Sequence, residues 1–140
     1  MTPEHASDLT RQVCELAPVV PVLVIDDASM AEGLAKALIA GGLPALEVTL
    51  RTPAALEAIA EMAKVPGGVV GAGTLLTAKD VEAAKLAGAV FGVSPGATER
   101  LLDACEANDL PLLPGAATSD RKSTRLNSSH SSVSRMPSSA

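Results

Sequence analysis

The chain has 140 residues, 47% hydrophobic and 19% charged, a composition that supports one domain with a sizeable core. Phe91 is its single aromatic residue and the formal net charge is −5, which together exclude nucleic-acid recognition by base stacking and positive charge. No apolar run reaches about 18 residues and Met1-Thr2-Pro3-Glu4-His5 has no signal-peptide character, so the expectation is a cytoplasmic protein without membrane attachment.

Cys14 and Cys105 lack metal or redox spacing and read as small buried hydrophobes, with no metal expected. The charge is unevenly spread. Residues 1–119 hold 7 Lys/Arg against 15 Asp/Glu, whereas residues 120–140 hold 4 against 1. Serine divides in the same way, 4 in the first 119 residues and 8 in the last 21. Two kinds of sequence meet near Ser119. The expected organisation is a folded domain over 1–119 and a non-native or disordered tail over 120–140.

Residues 4–16 form a modest helix candidate with Leu9, Val13 and Leu16 roughly on one face, suited to capping the bottom of a barrel. Val19-Val20-Pro21-Val22-Leu23-Val24-Ile25 reads as a short apolar strand, with Pro21 limiting its neighbours. Asp26, Asp27 and Ser29 offer caps for a helix through Met30, Leu34, Leu38 and Ile39, which Gly41-Gly42 ends. The second strand, Leu46-Glu47-Val48-Thr49-Leu50-Arg51 with Ala45 flanking it, suits burial on both faces, apart from one carboxylate, and ends in the arginine. Thr52-Pro53 behind it reads as a helix N-cap with proline at the first helical position.

A third strand over 68–73 runs into Thr74-Leu75-Leu76, and Thr77 with Asp80 caps the helix that stops at Gly88. Ala89-Val90-Phe91-Gly92-Val93 is the fourth strand, followed by Ser94-Pro95-Gly96 and a helix capped by Thr98 that ends near Asn108. Leu110-Pro111-Leu112-Leu113 is the fifth strand, leading into Pro114-Gly115. Strand starts near 20, 45, 68, 89 and 110 recur every 21–25 residues, a βα repeat whose right-handed crossovers make a parallel sheet. A doubly wound sheet would carry a glycine-rich dinucleotide turn, and neither Ile25-Asp26-Asp27-Ala28-Ser29 nor Gly71-Ala72-Gly73 completes one. The expected fold class is α/β, a (β/α)8 TIM barrel truncated after about five strands.

In such a barrel the strand ends converge on one mouth. Here they bring Glu47 and Arg51, Thr74, Ser94-Pro95-Gly96 and Pro114-Gly115 together. The set offers a carboxylate for proton transfer, a guanidinium and a hydroxyl for an anion, and turns that keep backbone amides near a ligand. A structural alternative is that Glu47 and Arg51 form a buried ion pair.

Val19-Val20-Pro21-Val22, Leu46-Glu47-Val48-Thr49-Leu50-Arg51-Thr52, Gly71-Ala72-Gly73-Thr74-Leu75, Ser94-Pro95-Gly96 and Pro114-Gly115 closely resemble 2-keto-3-deoxy-6-phosphogluconate (KDPG) aldolases over about residues 8–119. The resemblance implies a class I aldolase, a carbon–carbon lyase without cofactor, on a (β/α)8 barrel that assembles as a homotrimer. Its small-molecule substrate would be KDPG, cleaved to pyruvate and glyceraldehyde 3-phosphate in the Entner–Doudoroff pathway, with 4-hydroxy-2-oxoglutarate as a second substrate. By the same resemblance Glu47 is the catalytic acid/base, Arg51 and Thr74 bind the pyruvate-derived carboxylate, and Ser94, Pro95, Gly96, Pro114 and Gly115 line the site. Partial desolvation would raise the pKa of Glu47 and the nearby arginine would limit the rise.

The family's Schiff-base lysine lies on a sixth strand and its phosphate site on the seventh and eighth. Lys36, Lys64, Lys79 and Lys85 fall on outer helices and Lys122 in the tail, so the 140-residue chain is expected to be inactive by itself. Two further readings are another phosphate-handling βα-barrel enzyme, of thiamine-phosphate-synthase or epimerase type, and a non-catalytic half-barrel assembling with a partner.

Overall fold

Five short apolar segments pair side by side, in chain order and all parallel. They are β1 (Val22–Leu23), β2 (Ala45–Thr49), β3 (Val69–Gly73), β4 (Phe91–Ser94) and β5 (Leu112–Pro114). The helices are α1 (Pro3–Glu15), α2 (Ala31–Ala40), α3 (Ala55–Ala63), α4 (Ala78–Ala87) and α5 (Glu99–Ala107), and α2 to α5 are the crossovers. This computed structural model describes residues 1–115; the expected tail 120–140 lies outside the described residues. A doubly wound sheet would reverse its strand order at some point. Here the order never reverses, and the elements are successive units of a (β/α)8 barrel.

Side-chain alternation along the strands divides the molecule into two apolar layers. Leu46 and Val48 of β2, with Val70 and Ala72 of β3, face the helices and pack with Ala58, Ile59 and Met62 of α3 and Val81 and Ala84 of α4. The opposite face points into the barrel. There Ala45 and Phe91 meet Val13 of α1, with Val20, Val69, Val93 and Leu113 around them. Helix α1 therefore closes the end of the barrel at which the strands begin. Its buried face is Ala6, Thr10 and Val13, whereas Leu16 is exposed. The helical periodicity found the helix but misjudged the stripe.

The punctuation residues act mostly as read. Thr77 and Asp80 exchange bonds in a capping box at the start of α4, and Gly88, at φ +107, ends that helix. Thr98 accepts from the Leu101 amide at 3.2 Å. Asp27 caps a single 3₁₀ turn, Ala28–Met30, that leads into α2.

Two expectations change. The strand expected over 19–25 is a ladder of only two residues, Val22 and Leu23, facing Glu47 and Val48. Pro21 has no amide hydrogen to extend it. Beyond Leu23 the ladder is replaced by threonine hydroxyls: Thr49 Oγ1 donates to the Leu23 carbonyl at 3.0 Å, and Thr52 Oγ1 donates to that of Ile25. The second change follows from the same bond. Thr52 does not cap α3; the turn Leu50–Ala54 intervenes, and Ala54 is the N-cap without a side-chain bond. The Thr52 hydroxyl instead ties the loop after β2 to the end of β1.

Candidate active site

Because every strand runs the same way and the registers are nearly level, the strand ends form one rim. Thr49 lies beside Gly73, and Ser94 beside Pro114. Backbone bonds continue this rim past the ladders, from Leu50 N to Gly73 O at 2.9 Å and from Leu75 N to Val93 O at 3.1 Å.

Glu47 sits on the inward face of β2, in register with Gly71, and only 8% of it is exposed. Its carboxyl lies against the backbone of Gly73: a Cβ there would overlap Oε1 and approach Cδ to 2.8 Å. Among the described residues its carboxyl accepts no hydrogen bond and joins no ion pair. Burial pushes its pKa above the usual carboxylate value, and the positive charge of Arg51 pulls it part of the way back. Arg51 itself is exposed, in the turn after β2. The buried Glu47–Arg51 ion pair, kept open by the sequence, is therefore not formed; the two residues interact through the field alone.

The raised pKa has a consequence for stability. The folded state holds the Glu47 proton more tightly than the unfolded chain does, so stability is fully present below the ordinary value of 4.5 and declines as pH rises through the folded value. Glu47→Gln is expected to remove that decline and to stabilise the protein at neutral pH by about 1 kcal/mol. Urea unfolding of both proteins from acid to neutral pH checks this.

Thr74 follows Gly73 directly and takes the left-handed conformation at φ 62, unusual for a β-branched residue. Strain of this kind is worth roughly 1–3 kcal/mol and collects where a side chain must be aimed at a ligand. Glu47 and Arg51 thus come from β2 and the turn after it, and Thr74 from the end of β3, the adjacent strand. Ser94 is different: its hydroxyl donates to the Gly96 carbonyl at 2.7 Å, which closes the Ser-Pro-Gly turn on itself. Gly115 N donates to the Ser94 carbonyl at 2.7 Å, so Pro114-Gly115 buttress that turn. Both turns stand on the rim with the other three residues.

The glycines of β3 lie in the strand expected over 68–73, and positive φ among the described glycines is confined to Gly42, Gly67 and Gly88. Gly71 and Gly73 are small because Phe91 and Glu47 lie on them. Glycines two apart in a strand are the signal that could have revealed this close approach.

The described lysines are exposed on the outer helices and their caps. Lys36 and Lys64 pair with Glu32 and Glu61 on the outer helices, Lys79 is exposed on α4, and Lys85 donates to the Asp109 carbonyl at 2.8 Å. Cys105 is buried and its thiol is pushed up to about 12, which leaves it unreactive; Cys14 is half-buried. Among the described residues no helix is long and apolar enough to cross a membrane.

Comparison with known proteins agrees with this geometry. A 2-dehydro-3-deoxy-phosphogluconate aldolase of Zymomonas mobilis is 58% identical over 105 residues, which cover 75% of this chain and 50% of that relative. The chain spans about half the length of the curated relatives it matches. The crystal structure of a Zymomonas mobilis KDPG aldolase with 3-phosphoglycerate superposes with a TM-score of 0.81 at 52% identity, over 87% of this chain and 58% of that one. A Legionella pneumophila KDPG aldolase, with pyruvate captured as a covalent carbinolamine, gives 0.78 at 40% identity over 84% and 58%. Residues 10–139 match the profile described as "Aldolase: KDPG and KHG aldolase", and the chain belongs to that family.

Proposed function

We propose that the complete protein is a class I aldolase that splits KDPG into pyruvate and glyceraldehyde 3-phosphate, with 4-hydroxy-2-oxoglutarate as a second substrate. The observation that carries this reading is the state of Glu47: a buried carboxyl, unpaired among the described residues, raised in pKa at the mouth of a barrel. Such a group holds its proton to higher pH than an ordinary carboxyl does, and general acid–base catalysis uses a group that can both give and take one.

In this mechanism a lysine amine adds to the C2 carbonyl of the 2-oxo acid. Glu47 gives a proton to the carbinolamine hydroxyl, which leaves as water and creates an iminium. As the C3–C4 bond breaks, its electron pair moves into the iminium to form an enamine. The C4 hydroxyl proton passes to Glu47 and the aldehyde departs. Glu47 then protonates C3 of the enamine, and hydrolysis releases pyruvate and the amine. Arg51 and Thr74 hold the C1 carboxylate by charge-assisted and hydroxyl hydrogen bonds, while Ser94, Pro95, Gly96, Pro114 and Gly115 shape the same mouth. The complete protein acts in this reading as a cytoplasmic homotrimer.

The amine is to be sought beyond the described residues, because Lys36, Lys64, Lys79 and Lys85 are exposed on the outer helices and their caps. We read residues 120–140 as foreign to the barrel on their composition, although the family profile runs through them to residue 139. The genomic sequence after codon 119 tests that point: a continuing frame with a sixth strand and a buried lysine is expected, and an in-frame stop would contradict it.

Borohydride reduction in the presence of pyruvate tests the function. A covalent pyruvate adduct on the complete protein is expected, together with pyruvate release from KDPG. No adduct and no release would overturn the reading. The 140-residue chain alone is expected to release no pyruvate above a Glu47→Gln control.

A further inference from the structure

The inward face of β3 carries almost no side chain of its own at the rim. Gly71 and Gly73 both face the barrel interior, in register with Glu47 and Thr49 of β2. Neither needs its glycine for a left-handed φ. Each is instead overlaid by a neighbouring strand, from opposite sides. A Cβ at residue 71 would stand 2.5 Å from Cδ2 of the Phe91 ring and closer still to Cε2 and Cζ. A Cβ at residue 73 would overlap Glu47 Oε1 and stand 2.9 Å from Cγ. Real Cβ atoms essentially never make contacts under 3.0 Å.

The register gives these two contacts their meaning. The direct neighbour of Glu47 on β3 is Gly71, not Gly73. A side chain standing straight across from β2 would therefore lie over Gly71, but the Phe91 ring, in register with Gly71 from β4, already fills that space. The Glu47 carboxyl lies two residues farther toward the carboxyl end of β3, against Gly73. Phe91 is fully buried and apolar, so it blocks that path without offering a hydrogen bond.

We propose that Gly73 is a positioning residue for Glu47: its missing side chain is the seat of the carboxyl, and the Phe91 ring over Gly71 is the wedge that turns the carboxyl toward the barrel mouth. This proposal rests on the reading of Glu47 as the proton shuttle. The seat fixes the carboxyl at one depth and keeps water from it, and Arg51 is the charged side chain whose field reaches it there. A methyl group at residue 73 would push the carboxyl off the strand, away from its aim and toward solvent.

The test is Gly73→Ala in the complete protein, with circular dichroism to show that it folds. The expected result is a fall in kcat of about 10²-fold with KM for KDPG little changed, as for a misplaced catalytic group. The Glu47 carboxyl, followed by 13C NMR in the ligand-free protein, is expected to titrate lower, nearer the ordinary 4.5. A variant with unchanged kcat and an unchanged Glu47 titration, while Glu47→Gln is inactive, would overturn the seat and leave the functional reading standing. Full activity of Glu47→Gln would overturn the functional reading and the positioning role with it. Should Gly73→Ala fail to fold, the double variant Glu47→Ala/Gly73→Ala decides: recovery of folding supports the seat, since the overlapping side chain is gone. Continued failure places the clash elsewhere and refutes it.

Discussion

Glu47→Gln in the complete protein is expected to lower kcat by about 10²- to 10⁴-fold, the usual contribution of a positioned acid–base group. Glutamine keeps the shape of the side chain and its fit on Gly73, but it cannot exchange a proton. The direction of the stability change separates this account from a structural one. If Glu47 were half of a buried ion pair, its loss would strand a charge and destabilise the protein by about 3–5 kcal/mol. The structure shows Glu47 buried and unpaired among the described residues, so its replacement by a neutral amide relieves a cost. Loss of turnover with unchanged or improved stability is the combined signature. Steady-state kinetics and urea unfolding on the same preparation read both halves of it.

Phe91→Ala is expected to have the largest effect on stability, about 3–5 kcal/mol. A domain of ordinary size is stable by only about 5–15 kcal/mol, so this change removes a large part of the total. The chain has no other aromatic residue, and Phe91 is fully buried in the layer inside the barrel with Val13 and Ala45. Gly71 opposite cannot fill the void, because it has no side chain and its backbone is held in the β3 ladder. Chemical denaturation of Phe91→Ala beside Phe91→Leu measures the effect; leucine, which refills much of the space, is expected to cost clearly less. A loss in Phe91→Ala comparable to that of an exposed substitution would mean that the inner layer does not hold the barrel together.

Much of this fold is legible because a parallel βα repeat writes the same pattern at every unit. Apolar runs at a regular interval, caps such as Thr77 and Thr98, and stops such as Gly88 report local chemistry, which a sequence contains directly. The placing of Glu47, Arg51 and Thr74 at two adjacent strand ends is legible for the same reason: in a parallel sheet, position at a strand end implies position at the rim.

What the sequence hid depends on residues far apart in the chain. The shortness of β1 follows from hydroxyls of Thr49 and Thr52 that reach the carbonyls of Leu23 and Ile25, 26 and 27 residues away. The same bond withdrew Thr52 from the helix cap it resembled. Gly71 and Gly73 report only that a side chain is missing, and the groups that require this, Phe91 and Glu47, belong to neighbouring strands. The ion-pair alternative failed because Arg51 lies past the end of its strand, in a turn that exposes it, while Glu47 stays inside.

The central claim is that Glu47 moves protons to and from the substrate carbon. The most direct measurement is the exchange of pyruvate methyl protons for deuterium, followed by 1H NMR with the complete protein in D2O, where no C–C bond need break. The wild-type protein is expected to exchange them, and Glu47→Gln to do so at least about 10²-fold more slowly. Exchange by Glu47→Gln at the wild-type rate would contradict the claim.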